Sequence, residues 1–226
     1  MKITCISDTH GHHADLTPDL GEGDLLLHTG DFMRAGNLES EVHDFLKWMS
    51  EQPFTSRVLI AGNHDRLFEN EPALVRELLR EYPGIHYLQD QFLELPDSGL
   101  SIYGTPWQPA FHNWAFNLPR SGEALKNVWS AIPDGVDILL THGPPQGILD
   151  TSGPPWHQPL LGCELLEAKV KEIQPRLHVF GHIHGGYGMK TLGATCFVNA
   201  AVVDERYQYA QKPVVIDDLF EERVMV

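Results

Sequence analysis

Seven side chains that could bind metal ions stand directly after short apolar segments of the chain. They are Asp8, His10, Asp31, Asn63, His142, His182 and His184. The set offers only oxygen and nitrogen ligands, which suit Mn²⁺, iron or Zn²⁺, and its many imidazoles make a site for Mg²⁺ alone less natural. Seven ligands exceed what one ion with an open position needs. The pattern therefore favours two ions that share a bridging carboxylate and clamp both oxygens of a phosphoryl displacement, with a single ion as the alternative.

These ligands need strand ends that meet at one edge of a sheet. Apolar or β-branched runs at residues 2–7, 24–28, 57–61, 136–140 and 177–180 are each followed at once by small and polar residues. Continuous apolar runs of this length predict strands buried on both faces. Ligands gather at the carboxyl ends of strands in open α/β sheets, so five neighbouring ends would bring the set into one pocket. The pairs Asp8/His10 and His182/His184 are spaced i, i+2, which points both members to the same side of an extended chain.

Helical periodicity lies between the predicted strands. Apolar residues follow the i, i+3, i+4, i+7 rule at 42–49, 74–82 and 165–173, and a proline follows each segment. Strands that alternate with helices predict an α/β fold, and shorter strand candidates at 85–104 predict mixed sheets. Residues 104–119 and 143–162 show neither period but are rich in proline and large apolar side chains, which is typical of structured functional loops. Residues 1–226 contain no linker, so one domain is expected.

Composition excludes several classes of protein. The 226 residues are 42% hydrophobic, enough to fill a core, and 16 Lys plus Arg against 31 Asp plus Glu give a net charge of −15. Such an acidic chain does not attract a nucleic-acid polymer. Three scattered cysteines form no disulfide framework. With no signal peptide and no apolar run that spans a membrane, we expect a cytoplasmic protein that does not act at a membrane.

Five short motifs occur in order along the chain. They are Asp8-x-His10, Gly30-Asp31, Gly62-Asn63-His64-Asp65, His142-Gly143 and Gly181-His182-x-His184. Together they resemble the ordered motifs of the calcineurin-like metallophosphoesterase superfamily, although each alone would be a weak signal. Segments 104–109, 114–119, 137–145 and 178–188 resemble a narrower branch, the metallophosphoesterase-domain-containing proteins, which is associated with nucleotide phosphodiester hydrolysis. Asp65 stands where that branch can carry a glutamate. The expected fold is thus α/β, a calcineurin-like two-sheet β-sandwich flanked by helices in four layers (αββα).

The resemblance also implies a role for each motif residue. One metal ion would be bound by Asp8, His10, Asp31 and His184, and the other by Asp31, Asn63, His142 and His182. Asp31 would bridge the two ions, Mn²⁺ for preference and otherwise iron or Zn²⁺, and a hydroxide between them would attack phosphorus. His64 would protonate the leaving alkoxide, and Asp65 would orient the His64 imidazole.

Substrate contacts are less clearly marked in the sequence. Trp107 and Trp114 could form a stacking platform for a nucleobase, although packing of the loop is the commoner role of such side chains. His12 and Asn37 lie close to motif residues and are further candidates. We therefore expect a phosphodiesterase that acts on a small, nucleotide-like substrate, with cyclic nucleotides among the candidates. The alternatives are a phosphomonoesterase or phosphoprotein phosphatase, and a nucleotide-binding protein with little activity.

Overall fold

The computed structural model describes residues 1–34, 36–154, 156–217 and 219, which form thirteen strands and six α-helices. The strands are β1 (Ile3–Ile6), β2 (Gly23–His28), β3 (Phe54–Leu59), β4 (Ile85–Tyr87), β5 (Gln91–Glu94), β6 (Ser101–Thr105), β7 (Gln108–Pro109), β8 (Asn117–Leu118), β9 (Ile138–Thr141), β10 (Leu177–Phe180), β11 (Gly188–Leu192), β12 (Thr195–Asn199) and β13 (Val214–Ile216). The helices are α1 (His13–Leu20), α2 (Glu39–Glu51), α3 (Arg66–Asn70), α4 (Pro72–Arg80), α5 (Glu123–Ser130) and α6 (Glu164–Ile173). A short 3₁₀ helix spans His184–Gly186.

Two large sheets hold the five strands that precede the metal-binding motifs. The first has the order β13-β1-β2-β3-β4, and the second has the order β11-β12-β10-β9-β6-β5. Strands β1 to β4 run parallel in the first sheet, as do β12, β10, β9 and β6 in the second, while β13, β11 and β5 are antiparallel edge strands. The mixed sheets confirm the prediction. Parallel neighbours end at the same edge, so the motifs collect at one end of each sheet.

The two sheets pack face to face through alternate side chains of their strands. Leu25 and Leu27 of β2 point inward and belong to the same buried cluster as Ile138 and Leu140 of β9. Leu26, between the two inward leucines, belongs to the cluster under the helices on the outer face. Complete burial on both faces explains why these strands are continuous apolar runs in the sequence.

Helices cover the outer face of each sheet and complete the four layers. Helices α1 to α4 pack on the first sheet, where Phe45 of α2 and Val75 of α4 are buried. Helices α5 and α6 pack on the second sheet, where Trp129 and Val170 are buried. The predicted helices α2, α4 and α6 are confirmed. The periodicity missed α1, which contains Pro18, and the short α3 and α5.

The loop at 104–119 contains the two-residue strands β7 and β8, which pair with each other. The loop at 143–162 is largely irregular, and the Asp150 carboxylate ties its ends by accepting the N–H groups of Gly147 and Gly162, both at 2.9 Å. Both are structured loops, as expected. Within the described part of the chain, no helix is long and apolar enough to cross a membrane.

One buried histidine makes the stability of this fold depend on pH. His178 on β10 is fully buried, its Nε2 lies 2.8 Å from the Thr141 hydroxyl, and its Nδ1 has no hydrogen-bond partner in the described part of the chain. Burial lowers the pKa of His178 to about 3. Between that value and the pKa of the unfolded chain, about 6.5, the unfolded state binds a proton that the folded state does not. Stability is therefore lost as the pH falls through this range.

We predict that His178→Leu weakens this pH dependence. The slope of the free energy of unfolding against pH should fall by up to about 1.4 kcal/mol per pH unit, the contribution of one proton. The measurement is urea unfolding in chelator between about pH 4.5 and 6.5, the range that the two pKa values bracket, with the exposed His157→Gln as the control. An unchanged slope in His178→Leu would contradict the prediction.

Candidate active site

The metal-binding motifs of both sheets meet at one place. Asp8 and His10 follow β1, Asp31 follows β2 and Asn63 follows β3 in the first sheet, while His142 follows β9 and His182 and His184 follow β10 in the second. Six of these side chains, all except Asn63, form overlapping groups together with His64, and within each group the ligand atoms lie within 4.8 Å of one another. One group is Asp8, His10 and His184, a second is Asp31, His142 and His182, and a third is His10, Asp31 and His64.

Asp31 belongs to the second group and also lies close to His10 of the first group. Its Oδ2 is 3.4 Å from His142 Nε2 and 3.7 Å from His10 Nε2. Asp8 Oδ1 is 4.0 Å from the same His10 Nε2 and 3.3 Å from His184 Nε2. This position makes Asp31 the one residue that the second and third groups share.

Backbone carbonyl groups orient the histidine rings. The Nδ1 atoms of His10, His142 and His184 lie 3.2, 2.9 and 2.9 Å from the carbonyl oxygens of Met33, Thr29 and Asp204. Because a carbonyl oxygen only accepts, each Nδ1 carries the proton and donates. Each ring therefore directs Nε2 at the carboxylates, which is how a metal-binding histidine is held from its outer side.

A buried histidine nitrogen and the oxygen atoms around it decide whether a cation fits this site. His10 Nε2 is buried and has no hydrogen-bond partner among the residues that the structure describes, although a buried polar atom of this kind normally has one. Backbone N–H groups hold the carboxylates in position as well. Asp8 Oδ2 accepts the His182 N–H at 2.9 Å, and Asp31 Oδ1 accepts the His64 N–H at 2.7 Å. Asn63 Oδ1 lies 3.0 Å from His142 Nε2. An unsatisfied imidazole nitrogen among oriented oxygen and nitrogen atoms fits a divalent cation.

Unusual backbone conformations place the ligands this close together. Asp8, His10, Asp31 and His182 all have positive φ, between 41° and 65°. Each non-glycine residue of this kind costs on the order of 1–3 kcal/mol, which the surrounding structure must offset. Gly181 is required by close approach, because a Cβ at this position would collide with the Asp8 carboxylate. This explains the glycine in the last motif.

The expected contact between Asp65 and the His64 imidazole is wrong. The buried Asp65 carboxylate accepts the backbone N–H groups of Asp31, Met33 and Gly62 at 2.8, 2.9 and 2.7 Å. His64 Nδ1 instead lies 2.6 Å from the carbonyl oxygen of Arg34. A short carboxylate can take several N–H groups of a tight loop, and here it fixes the backbone on both sides of Asp31.

The carboxylates and histidines perturb each other's pKa values. Burial acts to lower the pKa of His142, but the adjacent Asp31 outweighs it and raises the pKa to about 9. Burial acts to raise the pKa of Asp31, and His142 holds it well below its usual range. Burial lowers the pKa of His10 to about 4 and that of His182 to about 3. At neutral pH the site therefore presents ionised carboxylates beside neutral imidazoles at His10 and His182.

A cavity of about 300 Å³ opens beside these groups. Part of its lining is polar and comes from Asp31, Asn63, His64, His182 and His184. Another part is apolar and comes from Pro109, Ala110, Phe111, Pro144 and Leu161. The apolar part belongs to the loops 104–119 and 143–162. The volume is at the lower end of the range for sites that bind small molecules.

Of the substrate-contact candidates, Trp114 lies closest to the site. Its ring stacks on the His64 ring with centroids 4.1 Å apart and planes 20° apart, and the Arg66 guanidinium carbon is 4.8 Å from its centroid. This packing positions His64. The two tryptophans do not form a shared platform, because Trp107 donates from Nε1 to Asp90 at 2.8 Å and packs on Phe116.

The other two candidates lie outside the cavity as the described residues shape it. His12 bonds to Asp15 at 2.8 Å and to the carbonyl oxygen of Tyr207 at 3.1 Å, so it supports a turn next to the site. Asn37 is exposed and does not line the cavity.

Sequence reasoning missed several residues that line the cavity. Phe111 is 50% exposed, and its ring centroid is 5.8 Å from that of His182. Phe111 lies in the loop at 104–119, which the sequence already predicts to be a structured functional loop. The many aromatic residues of that loop are the signal that could have identified it. Tyr207 also lines the cavity and is 46% exposed. Nothing in the sequence marks Tyr207, because it lies well beyond the last motif.

Comparison with known proteins agrees with this geometry. A site of aspartates and histidines at the ends of strands from two packed sheets is typical of metal-dependent phosphoester hydrolases. Residues 1–186 match the family described as calcineurin-like phosphoesterase. The chain belongs to this family and is a metal-dependent phosphoester hydrolase.

Individual relatives extend the similarity over nearly the whole chain. Metallophosphoesterase domain-containing protein 1 of Homo sapiens and its Mus musculus counterpart are each 42% identical over 235 residues, which covers 96% of this chain and 70% of theirs. Among solved structures, the protein TT1561 of Thermus thermophilus superposes with a TM-score of 0.60 at 18% identity and covers 88% of both chains. That likeness supports the fold.

We predict that Mn²⁺ stabilises the protein and that the effect depends on Asp31. A cation at about 100 times its dissociation constant should add about 2.7 kcal/mol, or about 5–10 °C in Tm. Asp31→Asn, which keeps the shape of the side chain, should lose more than half of this shift. Differential scanning calorimetry with and without Mn²⁺ measures it, with the exposed Asp97→Asn as the control. An equal shift in Asp31→Asn would exclude Asp31 as a ligand.

We also predict that Asp65→Asn weakens both the fold and Mn²⁺ binding, because Asp65 holds the backbone around Asp31 and does not act through His64. The amide has one acceptor atom for three N–H groups, so the free energy of unfolding should fall by about 2–4 kcal/mol. Mn²⁺ affinity, measured by titration calorimetry, should fall with it. Asp150→Asn is the matched control, because its buried carboxylate accepts two N–H groups away from Asp31. It should destabilise the fold less, because one amide oxygen can still accept both N–H groups, and it should leave Mn²⁺ affinity intact. Unchanged Mn²⁺ affinity in Asp65→Asn would refute the assignment.

Proposed function

We propose that this protein is a phosphodiesterase that hydrolyses a small, nucleotide-like substrate with the help of two divalent ions, Mn²⁺ for preference. The observation that carries the proposal is one cavity whose lining includes Asp31, His182 and His184 of the aspartate and histidine groups, His64 and an apolar wall. A phosphodiester has an organic group on each side of phosphorus, and the apolar wall offers a place for one of them. Such a substrate also fits the volume of about 300 Å³.

The side chains favour two ions that share Asp31. Asp8, His10 and His184 would hold one ion, and Asn63, His142 and His182 would hold the other. Ions bound in this way polarise phosphoryl oxygens and lower the pKa of water. The ligand chemistry allows Mn²⁺, iron or Zn²⁺.

His64 is the proton donor in this proposal. Its Nδ1 donates to the carbonyl oxygen of Arg34 at 2.6 Å, which leaves Nε2 to exchange a proton with the substrate. Stacking on Trp114 fixes the plane of the ring. The leaving oxygen of an alkyl diester is a poor leaving group without a proton, so His64 is needed most for natural substrates.

A phosphomonoesterase or phosphoprotein phosphatase is the alternative. The net charge of −15 and the loops around the cavity oppose a nucleic-acid polymer or a protein segment as the substrate. In a monoester the single organic group is the leaving group that His64 would protonate, so no second group remains for the apolar wall. The phosphodiester therefore fits the cavity better.

We predict that the Mn²⁺-loaded protein cleaves bis-p-nitrophenyl phosphate faster than p-nitrophenyl phosphate and that chelator stops the reaction. His64→Ala should slow cleavage of alkyl diesters, such as cyclic nucleotides, by about 10²–10⁴-fold, the usual contribution of a general acid. The effect on the aryl diester should be much smaller, because nitrophenolate leaves without a proton. Steady-state kinetics on both ester types measures this, with His157→Ala as the control.

If His64→Ala slows the cleavage of aryl and alkyl esters equally, His64 is not the proton donor. A faster reaction with the monoester would favour the alternative function. Mn²⁺ binding without turnover of either ester would instead indicate a nucleotide-binding protein.

A further inference from the structure

Tyr207 lies against three histidines of the site although it follows all of the motifs in the sequence. Its ring centroid is 4.9 Å from that of His10, 5.1 Å from that of His184 and 5.9 Å from that of His64. The residue lines the cavity and remains 46% exposed. It therefore borders both the Asp8–His10–His184 group and the proposed proton donor.

The backbone of Tyr207 is held in a conformation that an aromatic residue rarely adopts. Its φ is 58°, in the left-handed region that disfavours side chains with a Cβ. Its N–H donates to the carbonyl oxygen of Asp204 at 2.9 Å, and its own carbonyl oxygen lies 3.1 Å from His12 Nε2. The Asp204 carboxylate also accepts the N–H groups of Arg206 and Gln208. These bonds hold a strained turn that presents the ring to the cavity, and such strain is concentrated at functional sites.

The same turn supports a histidine of the metal-binding group. The Asp204 carbonyl oxygen that accepts the Tyr207 N–H also lies 2.9 Å from His184 Nδ1. One peptide group thus sets the position of Tyr207 relative to His184. Within the described part of the chain, the Tyr207 hydroxyl has no hydrogen-bond partner, whereas the Tyr209 hydroxyl, two residues further along, donates to Asp19 at 2.8 Å.

We propose that Tyr207 is a substrate-contacting residue of this hydrolase and that its hydroxyl donates a hydrogen bond to a phosphoryl oxygen of the substrate. A phenol is a donor that fits an anionic oxygen. This phenol has no hydrogen-bond partner among the described residues, its ring contacts the histidines, and the residue lines the cavity. The inference rests on the proposed function only in requiring that the site binds a phosphoryl group. It does not depend on which ester is cleaved.

The test is equilibrium binding of inorganic phosphate to the Mn²⁺-loaded full chain, measured by titration calorimetry. Tyr207→Phe keeps the ring and removes the hydroxyl, so phosphate affinity should fall about tenfold or more, as expected for a hydrogen bond to a charged group. Mn²⁺ affinity and Tm should stay at the wild-type values. Tyr209→Phe is the matched control, because its hydroxyl bonds outside the site, and it should bind phosphate as the wild type does.

Tyr207→Gly separates the substrate contact from a merely structural role. Glycine adopts a positive φ without strain, so relief of the strained turn should offset the lost ring contacts and keep Tm close to the wild-type value. Phosphate affinity should nevertheless fall at least as far as in Tyr207→Phe. Wild-type phosphate affinity in Tyr207→Phe, or absence of phosphate binding by the wild type itself, would overturn the inference.

Failure of the proposed function can be told apart from failure of this inference. If no diester is cleaved and Tyr207→Phe still weakens phosphate binding, the inference stands and the phosphodiesterase proposal fails. If the diester is cleaved and Tyr207→Phe binds phosphate as tightly as the wild type, only the inference fails.

Discussion

The apolar interface between the two sheets determines where every metal-facing side chain lies. Asp8, Asp31 and Asn63 follow strands of the first sheet, whereas His142, His182 and His184 follow strands of the second. Inward side chains such as Leu27 and Leu140 hold the sheets in one relative position because they belong to a single buried cluster. Sliding one sheet by a single residue would move its ligands by about 3.3 Å, as far as Asp31 now is from His142. The hydrophobic core thus sets the geometry of a polar site, because close-packed interiors deform little.

The ligands can be found from the sequence because two signals coincide there. Strand ends are marked by apolar runs that stop abruptly, and metal ligands are marked by residue type, so Asp8, Asp31 and His142 are identified together with their strands. The contacts of Asp65 could not be found, because a carboxylate beside a histidine does not reveal which N–H groups the folded loop turns toward it. Tyr207 was missed for a related reason, since a strained turn carries no periodicity. Local patterns predict regular elements, while loop contacts depend on the tertiary structure.

The oriented histidines show how the site keeps its shape while it carries unsatisfied atoms. Carbonyl groups of the loops that follow the strands hold His10 and His142 from behind, so their inner nitrogens are fixed by the backbone. Four of the seven motif ligands also have positive φ. Backbone strain lowers stability, as does a buried His10 Nε2 that has no hydrogen-bond partner among the described residues, and the buried core must offset both. Backbone contacts of this kind restrict the histidine rings, and a ligand that is held in one orientation has less conformational entropy to lose on binding.

The pairing of β1 with β13 has a consequence for how the protein is made. Ile3 lies opposite Ile216, so the strand that leads to Asp8 obtains its outer neighbour from a segment near the other end of the chain. Ribosomes add roughly 5–20 residues per second, so that edge of β1 waits roughly 10–40 s for its partner. During this interval it presents unpaired N–H and C=O groups beside apolar side chains, the usual template for association between nascent chains. The pairing with β13 can therefore cover this edge of β1 only late in synthesis, and until then the edge has no strand on its outer side.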